Sequence, residues 1–326
     1  MKKLLFAALL SPSIAMAGDA LKANPVQDLS PGVHFLQGSI QLERGPDGNT
    51  VMFEAPEGLV AIDTGRHAWH SDAILDFASS HRLPVPVIVN THWHLDHSSG
   101  NIRIKAAHPE ARLFATSAVD LALAPNGFLM REFARMPRYL KQLDLTHVQR
   151  DEIDIAMKTM AHREFLRPDV PVNVSGTLRL AGRVFDVHVT QGAVTDADLW
   201  LYEPESKIAV LGDLVTFPAP FLETACPKRW REALDDVAAV PFTTAIPGHG
   251  APMSKPQFDT YRHAFGQFVD CANSSKPADA CASGWASDVS AFLADEKEKG
   301  AAASYASYYV GFLRSNKGKS PDCRRE

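Results

Sequence analysis

The sequence predicts an α/β fold in which two β-sheets pack face to face and helices cover their outer surfaces. Two successive strand-rich halves, residues 33–116 and 172–249, support this prediction, because each alternates apolar strand-like runs with turns or helical segments. Between them, residues 118–168 are rich in Arg, Leu, Met and Glu without a strand pattern, and are predicted to be two or three inserted helices. A helical C-terminal extension, residues 255–326, is predicted to pack on the main domain, residues 18–254.

The individual elements follow from apolar periodicity and turn signals. RGPDGN separates two of the strand-like runs and is typical of a turn. In the first half, strands are predicted over residues 33–40, 50–56, 59–65, 84–90 and 111–116, and helices over residues 67–82 and 101–107. In the second half, strands are predicted over residues 172–190, a hairpin over residues 199–213 and a last strand within residues 243–250.

The N-terminus has the pattern of a secretory signal peptide. Lys2 and Lys3 precede an apolar run at residues 4–10, and Ala15-Met16-Ala17 forms a small-x-small cleavage site before Gly18. The apolar run is shorter than the about 20 residues that a membrane-spanning helix needs. We therefore predict that residues 1–17 are removed on export. The mature chain is expected in the periplasm or outside the cell, without a membrane anchor.

The charge of the chain argues against a nucleic-acid partner. The formal net charge is −5. Loss of the two signal-peptide lysines leaves −7 (−5 minus +2). No basic stripe with interleaved aromatic residues is present, so a small-molecule partner is expected instead. The sequence contains no pattern that indicates an oligomeric state.

All four cysteines follow the predicted signal peptide and lie in the last third of the chain. An oxidising compartment permits disulfide bonds, and no C-x-x-C pair supports a cysteine zinc site. Cys271 and Cys281 flank a short polar loop and are the first choice for a bridge. Cys226 and Cys323 would then tie the C-terminal tail to the main domain, although connectivity does not follow from sequence alone.

A cluster of ligand-type side chains follows directly after the apolar run PVPVIVN. It consists of His92, His94, Asp96 and His97, within six residues. Imidazole and carboxylate groups bind divalent zinc, and a catalytic zinc site leaves one position for water. Because residues two apart in an extended segment point the same way, His92 and His94 can meet one ion. Asp96 and His97 lie beyond the turn and can face a neighbouring ion.

This cluster matches the H-x-H-x-D-H motif of the metallo-β-lactamase fold superfamily, which the sequence resembles over roughly residues 33–252. Three further positions agree with the family: Asp63 in AIDTG, Asp213 in VLGDL and His249 in IPGHG. The resemblance implies a four-layer αβ/βα sandwich with metal ions in a groove at the sheet edges. It also places the chain with the exported metal-dependent hydrolases of the family, and makes Asp63 a candidate to orient the histidines.

One family position differs. The family's G-H-T motif supplies a third histidine for the first metal. Aligning Thr195 and Asp198 with that pattern places Val194, which cannot bind metal, at the histidine's position. Asp196 or Asp198 could replace the lost ligand. His188 is a weaker substitute, with a solvent-facing strand position as the simpler interpretation.

The second site is intact by this comparison, with Asp96, His97 and His249 as ligands and Asp213 able to bridge. One tightly held zinc ion and a weaker second one are expected, with iron or manganese as alternatives to zinc. The resemblance implies a zinc-bound hydroxide, oriented by Asp96 as the catalytic residue, that attacks an ester, lactone, lactam or related bond. The competing hypothesis is a non-catalytic or degenerate metal-binding protein of the same fold.

Overall fold

The computed structural model describes residues 22–40, 44–142 and 144–324, and the predicted signal peptide at residues 1–17 lies outside the described residues. Two β-sheets and flanking helices form the described part of the chain, which confirms the predicted α/β class. In this part of the chain no helix is long and apolar enough to cross a bilayer.

The first sheet has seven strands in sequence order, antiparallel over its first four and parallel over its last four. They are β1 (Val26–Ser30), β2 (Val33–Leu36), β3 (Thr50–Ala55), β4 (Gly58–Ile62), β5 (Val87–Val89), β6 (Arg112–Ala115) and β7 (Val170–Pro171). Sequence analysis did not predict β1, because its polar, partly exposed residues carry no apolar alternation. The carboxyl ends of the parallel strands β4 and β5 consequently lie side by side at one edge of the sheet.

The second sheet has six strands in the order β13-β12-β11-β10-β9-β8. They are β8 (Gly176–Leu180), β9 (Arg183–Gln191), β10 (Ala197–Glu203), β11 (Ile208–Gly212), β12 (Thr244–Pro247) and β13 (Met253–Ser254). The predicted hairpin is β10 and β11, and β11 pairs in parallel with β12. The carboxyl ends of β11 and β12 are thus neighbours, as those of β4 and β5 are in the first sheet.

Strand residues alternate between two apolar clusters, and this alternation defines the layers. Val51 and Phe53 face the cluster between the sheets, whereas Met52 faces the cluster under the helices of the first half. Leu201 likewise lies between the sheets, and Trp200 lies under the helices of the second half. Because successive strand residues point to opposite faces, such strands read as continuous apolar runs. The predicted helix, sheet, sheet, helix arrangement follows.

The helices that cover the sheets begin and end close to the predicted positions in the first half. They are α1 (Ala68–His81), α2 (Leu95–Ser98), α3 (Asn101–Ala107), α4 (Val119–Ala122), α5 (Phe128–Gln142), α6 (His147–Ala161), α7 (Pro227–Ala238), α8 (Lys255–Ala272), α9 (Ala278–Asp288) and α10 (Glu296–Ser315). The insert consists of α4, α5, α6 and a 3-10 turn at Arg163–Leu166, while α7 was not predicted. A capping box between Thr146 and Gln149 fixes the start of α6.

The C-terminal helices share one apolar cluster with the second sheet. Phe265, Trp285 and Val310, from α8, α9 and α10, are almost completely buried in it together with Trp200 of β10. Both predicted disulfides are present. Cys271–Cys281 joins α8 to α9, and Cys226–Cys323 ties the tail to the start of α7. The tail is therefore fixed to the second sheet by packing and to the start of α7 by a covalent bond.

Removal of the longer-range bridge is expected to destabilise the protein more than removal of the shorter one. The two bridges close loops with sequence separations of 97 and 10 residues. In the chain-entropy model, Cys226→Ser with Cys323→Ser should lower the free energy of unfolding by about 4–5 kcal/mol, and Cys271→Ser with Cys281→Ser by about 2–3 kcal/mol. Urea unfolding of both double variants measures this difference, and equal losses would contradict it.

Candidate metal centre

The predicted site residues come together where the carboxyl ends of four strands meet. Asp63 follows β4, and the histidine cluster at residues 92–97 follows β5. Asp213 follows β11 and His249 follows β12. A backbone hydrogen bond from Leu199 N to Thr91 O, 2.6 Å long, joins the two sheets beside this point. Each sheet thus contributes two adjacent strand ends to one buried cluster.

Among the described residues, two groups of three side chains have their ligand atoms within 4.8 Å of one another: His92, His97 and Asp213, and Asp96, His97 and His249. His249 Nε2 lies 3.0 Å from Asp96 Oδ2 and 3.5 Å from Asp213 Oδ1. His97 Nε2 lies 3.1 Å from the same Asp213 oxygen. Asp213 therefore belongs to the first group and also contacts His249 of the second.

His92 and His94 approach Asp213 from the other side. His92 Nε2 is 3.7 Å and His94 Nδ1 is 4.0 Å from Asp213 Oδ2. The two imidazole rings are 4.5 Å apart in a T-shaped arrangement. All six predicted ligands thus lie around one point, and Asp213 contacts both the His92–His94 pair and the His97–His249 pair.

Asp63 orients two of the histidines. Its carboxylate accepts hydrogen bonds from His97 Nδ1 at 2.8 Å and from Thr91 N and Oγ1 at 2.8 and 2.7 Å. The Thr91 hydroxyl has only one hydrogen, which goes to Asp63, so it accepts from His92 Nδ1 at 3.0 Å. His92 consequently carries its proton on Nδ1, away from the cluster, and both rings direct Nε2 towards the cluster.

Two glycines allow the backbone to approach the cluster this closely. A Cβ at Gly248 would lie 2.0 Å from Asp213 Oδ1, and a Cβ at Gly48 would lie 2.4 Å from His97 Cε1. Gly48 N also donates to Asp96 O at 2.8 Å. Any side chain at either position would displace a ligand-type residue. PGHG and the PDGN turn are thus required by the geometry of the cluster.

The buried histidines of the cluster differ in the direction in which their pKa values are shifted. Burial lowers the pKa of His94 to about 4 and holds that of His92 well below its ordinary value, with a further contribution from the positive charge of His97. For His97, burial is outweighed by Asp213, Asp63 and Asp96, which raise its pKa well above the ordinary value. In the metal-free chain the proton on His97 thus offsets the surrounding carboxylate charge.

The pKa values of the Asp96 and Asp213 carboxylates are shifted by the neighbouring histidines. Burial alone would raise the pKa of Asp96 and of Asp213, but His97 and His249 outweigh it and hold both values well below the ordinary range. Both side chains are therefore ionised acceptors at neutral pH. His92 Nε2 is a buried atom without a hydrogen-bond partner in the described structure. An unpartnered buried acceptor aimed at two ionised carboxylates fits a bound cation.

The position of the missing histidine is filled by an apolar side chain. Val194 is buried in the cluster under the second-half helices. Asp198 accepts hydrogen bonds from Val194 N at 2.9 Å and from Thr195 N and Oγ1 at 3.0 and 2.7 Å, so it anchors this loop. Burial raises the pKa of Asp198 to about 7 against these bonds. Its carboxylate is thus engaged by the loop, and neither described metal-type group contains it.

The other two candidate replacements also point elsewhere. Asp196 Oδ1 lies 3.7 Å from Arg324 Nε of the C-terminal tail. His188 on β9 stacks on Trp200 with ring centroids 3.7 Å apart. The interpretation of His188 as a solvent-facing residue was therefore wrong in part, because the ring is half-buried on Trp200.

A second buried ionic cluster supports the loop that covers His97. His67 lies between Asp47 and Glu152, with Nδ1 2.9 Å from Asp47 Oδ2 and Nε2 3.0 Å from Glu152 Oε1. Asp47 Oδ1 also accepts from Arg66 N and His67 N at the start of α1, where negative charge is favourable. Glu152 belongs to α6, and its Oε2 accepts from Gly45 N at 3.1 Å. The insert thereby holds the loop over the metal-type cluster.

Aromatic side chains form one wall beside the cluster. Phe221 lies 5.1 Å from His94 and 6.5 Å from Phe128 of α5, measured between ring centroids. Trp93 lies 5.7 Å from Phe128, and Tyr309 of α10 lies 6.3 Å from Phe221. Phe128 and Phe221 are partly exposed. The insert and the C-terminal helix thus supply an apolar surface next to His94.

Comparison with known proteins identifies the family. A family model described as the metallo-beta-lactamase superfamily matches residues 44–249, more than half of the chain, and the chain belongs to this superfamily. A linear primary-alkylsulfatase from Pseudomonas sp. (strain ATCC 19151) is 26% identical over 222 residues, covering 62% of this chain and 41% of that protein. The chain thus spans about two fifths of the length of this curated relative.

Solved structures share the fold. A double mutant of the sec-alkyl sulfatase PisA1 has a TM-score of 0.58 at 19% identity, covering 90% of this chain and 51% of that one. A metallo-beta-lactamase from Pontibacter korlensis has a TM-score of 0.52 at 19% identity, covering 73% of this chain and 96% of that one.

Sequence analysis missed the hydroxyl groups that contact the histidines. Thr91 is adjacent to the motif, but a threonine before a histidine has no special signal. Thr224 Oγ1 lies 3.1 Å from His94 Nε2, although 130 residues separate the two in sequence. No local pattern marks such a contact, since it depends on how the chain returns to the site.

Replacement of His67 is expected to be strongly destabilising, because it leaves Asp47 buried without its cationic partner, whereas Glu152 keeps Arg44 at 3.1 Å. His67→Gln should lower the free energy of unfolding by about 3–5 kcal/mol. The matched control is His188→Gln, whose ring stacks on Trp200 instead. Denaturant unfolding of both variants measures the loss, and similar small losses would contradict an ionic role for His67.

The stability difference caused by His67→Gln should depend on pH. Burial opposes protonation of His67, but the two carboxylates raise its pKa above 6.5. The contribution of His67 to the free energy of unfolding is thus complete below pH 6.5 and is lost as pH rises through its raised pKa. The pKa values of Asp47 and Glu152 are lowered from 3.8 and 4.5 despite burial, so their contribution is lost on acidification. The difference should be largest at about pH 5–6.5, and a difference that grows towards alkaline pH would refute the assignment.

Proposed function

We propose that this chain is an exported metal-dependent hydrolase that acts on an ester, lactone, lactam or related bond of a small molecule. The observation that carries the proposal is the convergence of six ligand-type side chains, Asp213 and five around it, from the ends of β5, β11 and β12. They are His92, His94, Asp96, His97, Asp213 and His249. Zinc is the first choice of ion because its protein ligands are imidazole and carboxylate groups, with iron or manganese as alternatives.

The donor set fits divalent metal at two unequal positions. Asp96, His97 and His249 would hold one ion with Asp213 beside it, whereas His92 and His94 would hold a second with Asp213 alone. When bound, such an ion supplies Lewis acidity and makes a water molecule acidic enough to serve as a nucleophile near neutral pH. Asp96, ionised and 3.0 Å from His249 Nε2, is the residue proposed to orient that water and to accept its proton.

The aromatic wall favours a substrate with an apolar group next to the bond that is cleaved. Phe128 and Phe221 are partly exposed beside His94, and an apolar group could pack on them. The alkylsulfatase relative makes sulfate esters of apolar alcohols the first substrates to test. Carboxylic esters, lactones and β-lactams form the rest of the panel, because a fold accommodates several chemistries.

Export is the second part of the proposal. The signal-peptide pattern at residues 1–17 and the two disulfides are both typical of proteins that fold in an oxidising compartment. The mature chain is then proposed to begin at Gly18 in the periplasm or outside the cell. Intact-mass measurement of the secreted or periplasmic protein tests this part, and retention of Met1 would contradict it.

One zinc ion per chain is expected to bind tightly, and a second only at higher zinc concentration. His249→Ala and Asp213→Ala should each remove the tight ion, because they delete ligands of the more complete position. His92→Ala should weaken mainly the second ion. Titration of metal-free protein with zinc, with bound metal measured by mass spectrometry, gives the stoichiometry. Two equivalent tight sites in the unmodified chain would contradict the ligand assignment.

Asp96→Asn is expected to reduce turnover of any substrate in the panel by at least about two orders of magnitude, because the amide neither accepts the proton from water nor replaces the carboxylate as a metal ligand. Asp196→Asn is a matched control, since Asp196 lies beside Arg324 and outside the ligand-type groups. Initial rates with alkyl sulfate, carboxylic ester, lactone and β-lactam substrates measure the effect. Tight metal binding without turnover of any of them would favour the non-catalytic metal-binding protein instead.

A further inference from the structure

We propose that Thr224 is a positioning residue that fixes the tautomer of His94, so that the Nδ1 lone pair of this histidine points into the metal centre. This inference rests on the proposed function for the identity of the centre. It adds a residue that lies outside the H-x-H-x-D-H motif, on the loop between β11 and α7.

The Thr224 hydroxyl has a single hydrogen to donate. Thr224 Oγ1 lies 2.8 Å from Val194 O, and a carbonyl oxygen only accepts hydrogen bonds. The single hydroxyl hydrogen therefore goes to Val194. Thr224 Oγ1 is left with lone pairs facing His94 Nε2 at 3.1 Å, so the imidazole must donate. A neutral His94 then has its proton on Nε2 and its lone pair on Nδ1, the atom 4.0 Å from Asp213 Oδ2.

The carbonyl that sets this direction is itself held in place. Asp198 accepts from Val194 N and Thr195 N, and Cys226 N donates to Ala193 O at 2.9 Å. The loop is thus fixed on both sides of Val194. Its carbonyl cannot turn away from Thr224 without breaking one of these bonds.

The loop of Thr224 is held from the opposite side by the C-terminal tail. Ser320 donates through Oγ to Glu223 O and through N to Ala225 O. Cys226 is bonded to Cys323. Thr224 itself is 3% exposed. The hydroxyl is consequently buried and fixed between two anchored segments. Its contact with His94 is therefore part of the packed structure and not an incidental contact of a mobile loop.

The same device occurs at His92. There the Thr91 hydroxyl donates to Asp63 and accepts from His92 Nδ1, which directs Nε2 to the cluster. Thr224 has the same role for His94, but there the hydroxyl accepts from Nε2 and it is Nδ1 that faces the cluster. The family pattern has a ligand histidine at position 194. In this chain Val194 contributes through its backbone carbonyl, which orients His94 through the Thr224 hydroxyl.

The direct test is the tautomer of His94 in the metal-free protein. Long-range proton–nitrogen NMR correlation of the imidazole rings distinguishes the two neutral tautomers, and His94→Gln identifies the His94 signals by their loss. The unmodified chain and Thr224→Ser should show the Nε2–H form. Thr224→Val, which keeps the shape and removes the hydroxyl, should show a mixture or the other form. An Nδ1–H tautomer in the unmodified chain would overturn the inference.

Zinc titration supplies a second readout. Thr224→Val should weaken the second, His92–His94 ion by about 10–100-fold, the usual effect of losing a group that orients a metal ligand. The tight ion should be unchanged, and Thr224→Ser should restore the second one. Equal zinc affinities and an unchanged tautomer in Thr224→Val would also overturn the inference. Failure of the unmodified chain to bind zinc would refute the proposed function instead, because the NMR measurement does not require metal.

Discussion

The metal-type cluster depends first on the buried carboxylate of Asp63. This residue has a φ of +59°, a conformation that few non-glycine residues adopt, and it is 2% exposed. In this conformation its two carboxylate oxygens accept three hydrogen bonds, two from Thr91 and one from His97. These bonds join the end of β4 to the end of β5 and set the direction of two histidines at once. An alanine at this position would leave Thr91 N, which is buried, without its acceptor. An asparagine could keep that bond, but its NH2 group would replace the oxygen that accepts from Thr91 Oγ1 and His97 Nδ1.

The opposite half of the cluster is positioned by backbone geometry. Asp213 and His249 follow the parallel strands β11 and β12, and Gly248 lies so close to Asp213 that no side chain fits. The first sheet thus supplies oriented imidazoles, and the second supplies a carboxylate that can reach both pairs of histidines. The helical insert supports the loop over His97 through Glu152. The tail holds the loop of Thr224, which lies behind His94.

Much of this arrangement could be predicted from the sequence, for identifiable physical reasons. Strands such as β3 and β10 are buried on both faces, so their apolar runs are continuous and easy to recognise, and the ligand motif lies within six residues. β1 was missed because an edge strand with exposed polar residues has no such run. The role of Asp198 stayed open, because its side chain could have faced either the cluster or its own loop. Thr224 could not be predicted, since its distance from His94 is set by packing of segments remote in sequence.

The charges of the cluster also account for the consequence of having valine at position 194. Two carboxylates, Asp96 and Asp213, reach the ligand atoms of the four histidines, and Asp63 adds a third buried carboxylate behind His97. In the metal-free chain a proton on His97 offsets part of this charge, because burial of unbalanced carboxylates is unfavourable. A second ion would bring two further positive charges into a buried site without a third imidazole to share their coordination. The hydroxyl groups of Thr91 and Thr224 hold His92 and His94 with Nε2 and Nδ1 towards Asp213 before any ion binds, which is the orientation that the proposed second ion would need.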